Sequence, residues 1–405
     1  MNKTNNPKTI ELKMSHENTL YQISEWTKEV KKNMPHLSKP VAILLALISF
    51  AMVVLRCCGQ TTVSVFLAKL SDKKEDTVRQ QVREFYYDAQ DKKGENRLSI
   101  EVENSFVYLL RWVINSFENI SFLPIALDAT TLIDKFVVLS VSVIYRGTAI
   151  PVAWKILKAD QRHPWNPEWI RLLNLIKPAV RTDIEVLILT DRGLYSPEIF
   201  NAIKLLNWHP FMRINTGGKF CPEHGLFLPL SNFAPRQGTF WSGTGVAFKK
   251  NHIACTLLAF WDYGYEDPWL IITDLPSHRA ECCLYSLRSS IEQSFRNIKR
   301  GHFQWHNTKM TDPNRAMRLW LPIALATLFL LRAGTLSDTE LTENAQPMIR
   351  QSLGNRLLIK RPIRRLSVIK QGWIDTLISL LNDTALHLGK LSHQLFPTII
   401  PPLPI

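Results

Sequence analysis

The chain is short of cysteine, short of acid and without a long apolar run. Six cysteines in 405 residues are too few for a disulfide framework, and the adjacent pairs Cys57-Cys58 and Cys282-Cys283 cannot act as CxxC ligand pairs. Reduced, buried thiols are expected. Cys221 and His224 stand at C-x-x-H spacing, but no second half-site follows at a zinc-finger distance, which argues against a zinc module. The longest uncharged apolar run, Val41 to Leu55, falls short of the roughly 20 residues a bilayer core needs and reads as a buried helix. A second run, Leu319 to Leu331, is shorter and contains Pro322. The polar start MNKTNNPKTIELK has no apolar segment of the kind a secretory signal carries, so a cytosolic protein is expected. No period of 20 to 50 residues is visible, which excludes repeat architectures.

What is present is base and apolar bulk. Lys and Arg number 49 against 35 Asp and Glu, a formal net charge of +14, while 46% of residues are hydrophobic. The chain can therefore bury a core, and at about 150 residues per domain two or three domains are expected. The positive surplus favours a polyanion, either nucleic acid or an anionic membrane surface, and charge alone does not choose between them.

The texture changes twice. Residues 1 to about 120 read as helical, with apolar positions at helical spacing in the long run, in Val63 to Leu70, in Thr77 to Tyr87 and in Phe106 to Phe117. The segment TVSVFLAKLSDKKEDTVRQQVREF has the pattern of a helix–turn–helix carrying Arg79 and Arg83, and equally that of an amphipathic helix pair. From Ser121 three β-branched runs, SFLPIALDAT, KFVVLSVSVIYRG and AIPVAWKILK, predict consecutive strands. A helix over Asn166 to Val180, a strand over Ile184 to Thr190, a helix over Pro197 to Leu206 and a strand around Phe211 to Ile214 complete a βββαβαβ order. That order predicts an α/β fold, a mixed sheet with covering helices. Residues 215 to about 276 read as a β-rich insertion. From about 310 the chain reads as helical, with a basic stretch holding Arg356, Lys360, Arg361, Arg364, Arg365 and Lys370, then an amphipathic helix from Trp373 to Leu395 and an extended end, PTIIPPLPI.

Two acids fall at predicted strand ends, Asp128 closing the first strand and Asp191 following Leu189-Thr190. Carboxylates so placed can share hard cations, although an Asp at such a point also caps turns. The segment YSLRSSIEQSFRNIKR tips the balance. At about 100° per residue, Tyr285, Arg288, Glu292 and Lys299 share an arc of about 60°, with Arg296 beside them and Leu287, Ile291, Phe295 and Ile298 on a neighbouring core stripe. One carboxylate among cations and a phenol suits a metal ligand flanked by phosphate-holding groups; an internal ion-pair helix is the plainer alternative.

Tyr285-x2-Arg288-x3-Glu292-x6-Lys299 resembles the Y-R-E-K signature of bacterial insertion-sequence DDE transposases of the insertion-sequence-four type. Asp128 in LDATT and Asp191 in LTDRGLYS resemble the first two acids of that family, and the gap before Glu292 has room for the family's β-rich insertion. The likeness covers about residues 120 to 310. It implies a ribonuclease-H-like core at 121–310 (insertion about 215–276), a helical DNA-end-binding region at 1–120 and a helical dimerisation region at 311–405. It further implies that Asp128, Asp191 and Glu292 bind two Mg2+ ions, or Mn2+ in their place, for strand cleavage and strand transfer at terminal inverted repeats. By the same likeness Arg288 and Lys299 hold phosphate oxygens, Tyr285 bonds the backbone nearby, and Trp269 stacks on an extruded base. Trp269 is otherwise an ordinary strand core residue. Arg192, Arg213 and Arg296 are further candidate DNA contacts. Double-stranded DNA and a second copy of the chain are the implied partners, in a bacterial cytosol and without a membrane. Asp134 and Asp183 are nearby acids, and Asp274 in IITDLP is the best rival for the second ligand position. A DNA-binding protein of the same fold without catalysis, and a membrane-associated protein anchored by Val41 to Leu55, are the alternatives.

Overall fold

A computed structural model describes residues 16–92, 99–132, 134–160, 164–343, 348–352, 356–360 and 366–392. Five helices come first, α1 (His16–Asn33), α2 (Lys39–Leu55), α3 (Gln60–Leu70), α4 (Glu75–Tyr86) and α5 (Glu103–Asn115). The sheet follows in the expected order: β1 (Phe122–Leu132), β2 (Phe136–Tyr145), β3 (Thr148–Lys158), α6 (Asn166–Ile176), β4 (Glu185–Thr190), α7 (Pro197–Leu205) and β5 (His209–Arg213). Strand order is β3-β2-β1-β4-β5, with β1 antiparallel to β2 and parallel to β4. All ten residues of β2 are buried, as its unbroken β-branched run requires of a strand covered on both faces. Its two serine hydroxyls, Ser140 and Ser142, bond each other at 2.9 Å.

The insertion does not form a sheet of its own. Its strands β6 (Lys219–Pro222), β7 (Leu228–Pro229), β8 (Thr239–Ala247), β9 (Ile253–Trp261) and β10 (Trp269–Thr273) continue the same sheet outward from β5, in the order β10-β9-β8-β6-β7. The open edge of β5 is thereby covered, so its backbone groups are paired rather than left as a template for aggregation.

After a 3-10 turn at Cys282–Arg288 come α8 (Ser289–Arg296), a π-helical turn at Asn297–Gly301 and α9 (Pro313–Glu343). Helix α9 is the one described helix long and apolar enough to cross a membrane, and 94% of its apolar window lies inside the fold. Helix α2, built from the run at 41–55, likewise buries residues from Ala42 to Val53. Both are apolar nearly all round because they are surrounded by protein.

The flanking helices share one core with the sheet. Trp26 of α1 touches Trp112 of α5 at 5.2 Å and Phe329 of α9 at 5.0 Å, and its indole N–H donates to Ser49 Oγ of α2 at 2.9 Å. Trp154 of β3 donates to the Met317 carbonyl of α9 at 3.0 Å. Residues 120 and 310 thus mark changes of chain texture within a continuous interior.

The tail differs from expectation. The basic stretch opens as a hairpin, β11 (Met348–Ser352) and β12 (Arg356–Lys360), while Arg361, Arg364 and Arg365 lie outside the described residues, as does PTIIPPLPI. The last helix, α10, covers Val368–Leu381 and stops short of 395 because Asp383 takes a left-handed conformation at φ 56°. Beyond it Leu391 bridges to Phe117. Helices α9 and α10 cross at glycines: a Cβ on Gly372 would stand 1.9 Å from the Leu330 carbonyl oxygen, and one on Gly334 2.2 Å from that of Val368.

Candidate active site

The site begins with strand register. Leu127 and Thr190 are the last aligned pair of the parallel strands β1 and β4, so Asp128 and Asp191 are the next residue on each. They emerge side by side at the edge where β4 runs out. Asp128 is not the end of its strand, as the sequence suggested; β1 continues to Leu132 because β2 still pairs with it, Asp128 standing opposite Ser140. Each acid also fixes local backbone. Asp128 Oδ1 accepts the Ala129 N–H at 2.9 Å, and Asp191 Oδ1 accepts the Arg192 N–H at 2.7 Å, capping the short 3-10 turn Arg192–Leu194.

Arg288, the last residue of the 3-10 turn before α8, gathers the acids. Its Nη2 lies 2.9 Å from Asp128 Oδ2 and 3.4 Å from Asp191 Oδ2, and its Nη1 lies 2.9 Å from Glu292 Oε1, one helical turn on. Three carboxylates around one guanidinium leave a local charge of about −2. Asp128 is the most enclosed of the three, its side chain 16% exposed against 37% for Asp191 and 49% for Glu292. Burial pushes the Asp128 carboxyl above its ordinary value, with Arg288 opposing that shift. For Arg288 burial works against the charged form, but Asp128 and the other acids outweigh it and raise its pKa.

Segment 282–301 is not one regular helix. It passes from 3-10 through α to π geometry. The predicted apolar stripe nonetheless holds: Leu287, Ile291, Phe295 and Ile298 are all buried. Tyr285 is buried too, its hydroxyl donating to the Thr190 carbonyl at 3.3 Å and to Asp191 Oδ1 at 3.4 Å. Trp269, the first residue of β10, is half-buried and meets the Tyr285 ring edge-to-face at 5.1 Å. Lys299 sits on the π turn, where burial and then Arg300 lower its pKa. With Asp128, Thr130, Glu292, Arg296 and His306 it lines an open cleft of about 610 Å³.

The remaining candidates separate. Arg192 pairs at 3.1 Å with Asp267 in the loop before β10. Arg213 donates to the Pro268 carbonyl at 3.4 Å, and its buried Nε has no partner. Among the described contacts neither guanidinium reaches the three acids; Arg192 meets Asp191 through its backbone N–H alone. Asp274 lies at the opposite edge of the sheet, because β10 runs antiparallel to β5; its Oδ1 is 3.0 Å from His209 Nδ1 at the start of β5. Asp183 precedes β4 and pairs with Arg181 at 3.0 Å, while Asp134 is exposed in the β1–β2 turn. The Cys221 thiol bonds the Gly225 carbonyl at 3.2 Å.

Sequence reasoning missed Thr130, Arg300 and His306, which reach the cleft only through the overhang of β1 and the loop after the π turn; their spacing carries no signal. Among the described residues no three His, Cys, Asp or Glu side chains stand close enough to chelate a cation as they are. The acids stand around Arg288 instead. Their chemistry still fits hard divalent ions: every donor is a carboxylate oxygen, and the uncompensated charge equals that of one such ion.

No curated protein matches the chain. Residues 165–329 match the model of the family described as transposase DDE domain, a stretch that holds Asp191, Trp269, Tyr285, Arg288, Glu292 and Lys299 and begins after Asp128. Over that stretch the chain is similar to the transposase DDE domain family.

Proposed function

We propose that this chain is a cut-and-paste transposase of the insertion-sequence-four type, cleaving and joining DNA at terminal inverted repeats with Asp128, Asp191 and Glu292 as its metal-holding acids. The observation that carries the reading is the meeting of all three, from two strands and a helix, on the single guanidinium of Arg288. The strand order β3-β2-β1-β4-β5 supports a ribonuclease-H-like core. Two Mg2+ ions held there, or Mn2+ in their place, would lower the pKa of an attacking water or 3′-hydroxyl and stabilise the leaving oxygen.

The residues of the chain have distinct parts in that chemistry. Arg288, once a cation takes the acids, presents its planar fork to non-bridging phosphate oxygens. Lys299 supplies a point charge from the cleft wall, and Arg296 and Arg300 extend it along the DNA backbone. Tyr285 holds Asp191 in place through its hydroxyl. Trp269 offers a ring to an extruded terminal base, since an aromatic plane offsets part of the cost of unstacking. The helical flanks at 1–120 and 311–405 serve end binding and the pairing of two protomers, because two ends must be cut together. The setting is the bacterial cytosol.

Nicking of a supercoiled plasmid tests the reading. The wild type nicks with Mg2+ and not with EDTA, and Asp128→Ala, Asp191→Ala and Glu292→Ala each abolish it. DNA binding without nicking by the wild type would make this a DNA-binding protein of the same fold. Equal nicking by an acid variant would remove that residue from the centre.

A further inference from the structure

The cleft wall that carries Lys299 is gripped by residues distant in the chain. A π turn such as Asn297–Gly301 is short, and its last carbonyls find no helical partner. Side chains from elsewhere take two of them. His306 Nδ1 lies 2.6 Å from the Lys299 carbonyl, which can only accept, so that nitrogen carries the proton. Arg56 Nη2 donates to the Gly301 carbonyl at 2.9 Å. Arg56 stands just past α2 in a left-handed conformation at φ 51°, which a non-glycine residue keeps only where its surroundings fix it. Its surroundings do so. The guanidinium lies 4.6 Å from the centroid of the Trp373 ring of α10, and two residues on, the Cys58 N–H donates to the Phe303 carbonyl at 2.8 Å. The end of α2, the π turn and α10 therefore meet at the segment that brings Lys299 into the cleft with Asp128 and Glu292.

We propose that Arg56, seated on Trp373, is a positioning residue for the candidate active site: it fixes the π turn so that the Lys299 ammonium meets a DNA phosphate held at the acids. The proposal rests on the transposase reading for that phosphate, and it makes α2 and α10 part of the support of the site. Two features argue for action through Lys299. Arg56 is not among the residues of the cleft wall, and its Nη2 is occupied by a carbonyl only two residues past Lys299. A lysine is also a point charge on a flexible stem, so the turn sets where that stem leaves the backbone, and a displacement of about 1 Å in a positioning group is costly. Arginine suits the task because one guanidinium can stack on a ring and donate in its own plane together, which an ammonium cannot.

The test is a double-mutant cycle on the binding of a blunt DNA duplex to the full chain, read by fluorescence anisotropy in EDTA. Lys299→Ala should weaken binding roughly fivefold, the loss of one phosphate contact. Arg56→Lys keeps the charge but loses the stacked fork, and should weaken binding roughly threefold. Placed in the Lys299→Ala chain, the same Arg56→Lys change should alter affinity by less than about 1.5-fold, since its effect runs through the missing ammonium. Trp373→Leu should behave as Arg56→Lys does, whereas Trp373→Phe, which keeps a ring under the guanidinium, should bind as the wild type. Losses that multiply in the double variant would put Arg56 on the DNA itself. Wild-type affinity in both Arg56→Lys and Trp373→Leu, with only the melting temperature lowered, would leave the contact purely structural. Either result overturns the proposal. Failure of the transposase reading is seen separately, as absent Mg2+-dependent nicking by the wild type, because the binding cycle needs no cleavage.

Discussion

Replacing Arg288 by alanine should leave a protein that is weakened without metal and over-responsive to it. The guanidinium touches Asp128, Asp191 and Glu292 at once, with its own side chain only 12% exposed. Breaking a buried ion pair by deleting one partner costs about 3–5 kcal/mol. Asp191 and Glu292 reach solvent here, so their contacts are screened, and the well-enclosed Asp128 contact carries most of the loss, giving about 2–3 kcal/mol. In a chain of this size that lowers the melting temperature by about 2–4 °C. Divalent ions should then stabilise the two proteins unequally. In the wild type a cation must displace Arg288, whereas in Arg288→Ala the acids are free to receive it, so the variant gains more: about 2.7 kcal/mol at a hundredfold excess over its dissociation constant. Differential scanning fluorimetry in EDTA and across a Mn2+ series reads both effects. Arg288→Lys should fall between, keeping the charge and losing the fork. Equal melting in EDTA, or a smaller Mn2+ response in Arg288→Ala than in wild type, would refute the reasoning.

Other outcomes follow from the same contacts. Asp274→Asn should nick plasmid within about twofold of wild type, while Asp191→Asn falls by at least about a hundredfold, since only the latter acid meets Arg288. Lys299→Ala should weaken duplex binding and flatten the slope of log affinity against log salt by about one, the loss of one phosphate contact. Gly372→Ala should expose 366–392 to limited proteolysis, because the added methyl meets the Leu330 carbonyl of α9 with no flexible atom to give way. His302 is 2% exposed, and burial, with Arg56 nearby, lowers its pKa to about 3. The unfolded state therefore takes the proton first, and stability falls from about pH 6.5 towards pH 3 by at most about 1.4 kcal/mol per unit. His302→Phe should flatten that acid limb in urea titrations.

Much of the core was legible because its signals are local and periodic. The three β-branched runs, the two helices that follow them and the apolar stripe through Leu287, Ile291, Phe295 and Ile298 each declare themselves within a dozen residues. Asp191 was legible as an acid just past a strand, Asp128 was placed at a strand end but lies within β1, and their adjacency follows once β1 and β4 are parallel. What was not legible depends on partners distant in the chain. That β1 outlasts β4 is decided by β2, which no reading of β1 alone reveals. The insertion joins the main sheet because β5 offers an edge. The tail helix ends at Leu381, although its apolar pattern continues, because the chain turns at Asp383 and then meets Phe117 through Leu391. The glycine crossing of α9 and α10 and the grip of Arg56 on the Gly301 carbonyl are likewise products of packing.

The alignment of Leu127 with Thr190 makes the chemistry a matter of parity. Side chains alternate strictly along a strand, so deleting one residue from β1 or β4 sends its acid to the far side of the sheet, whereas the same deletion in the turn at 223–227 leaves both where they are. Length changes should therefore be tolerated between the three acids and forbidden inside the two strands that lead to them.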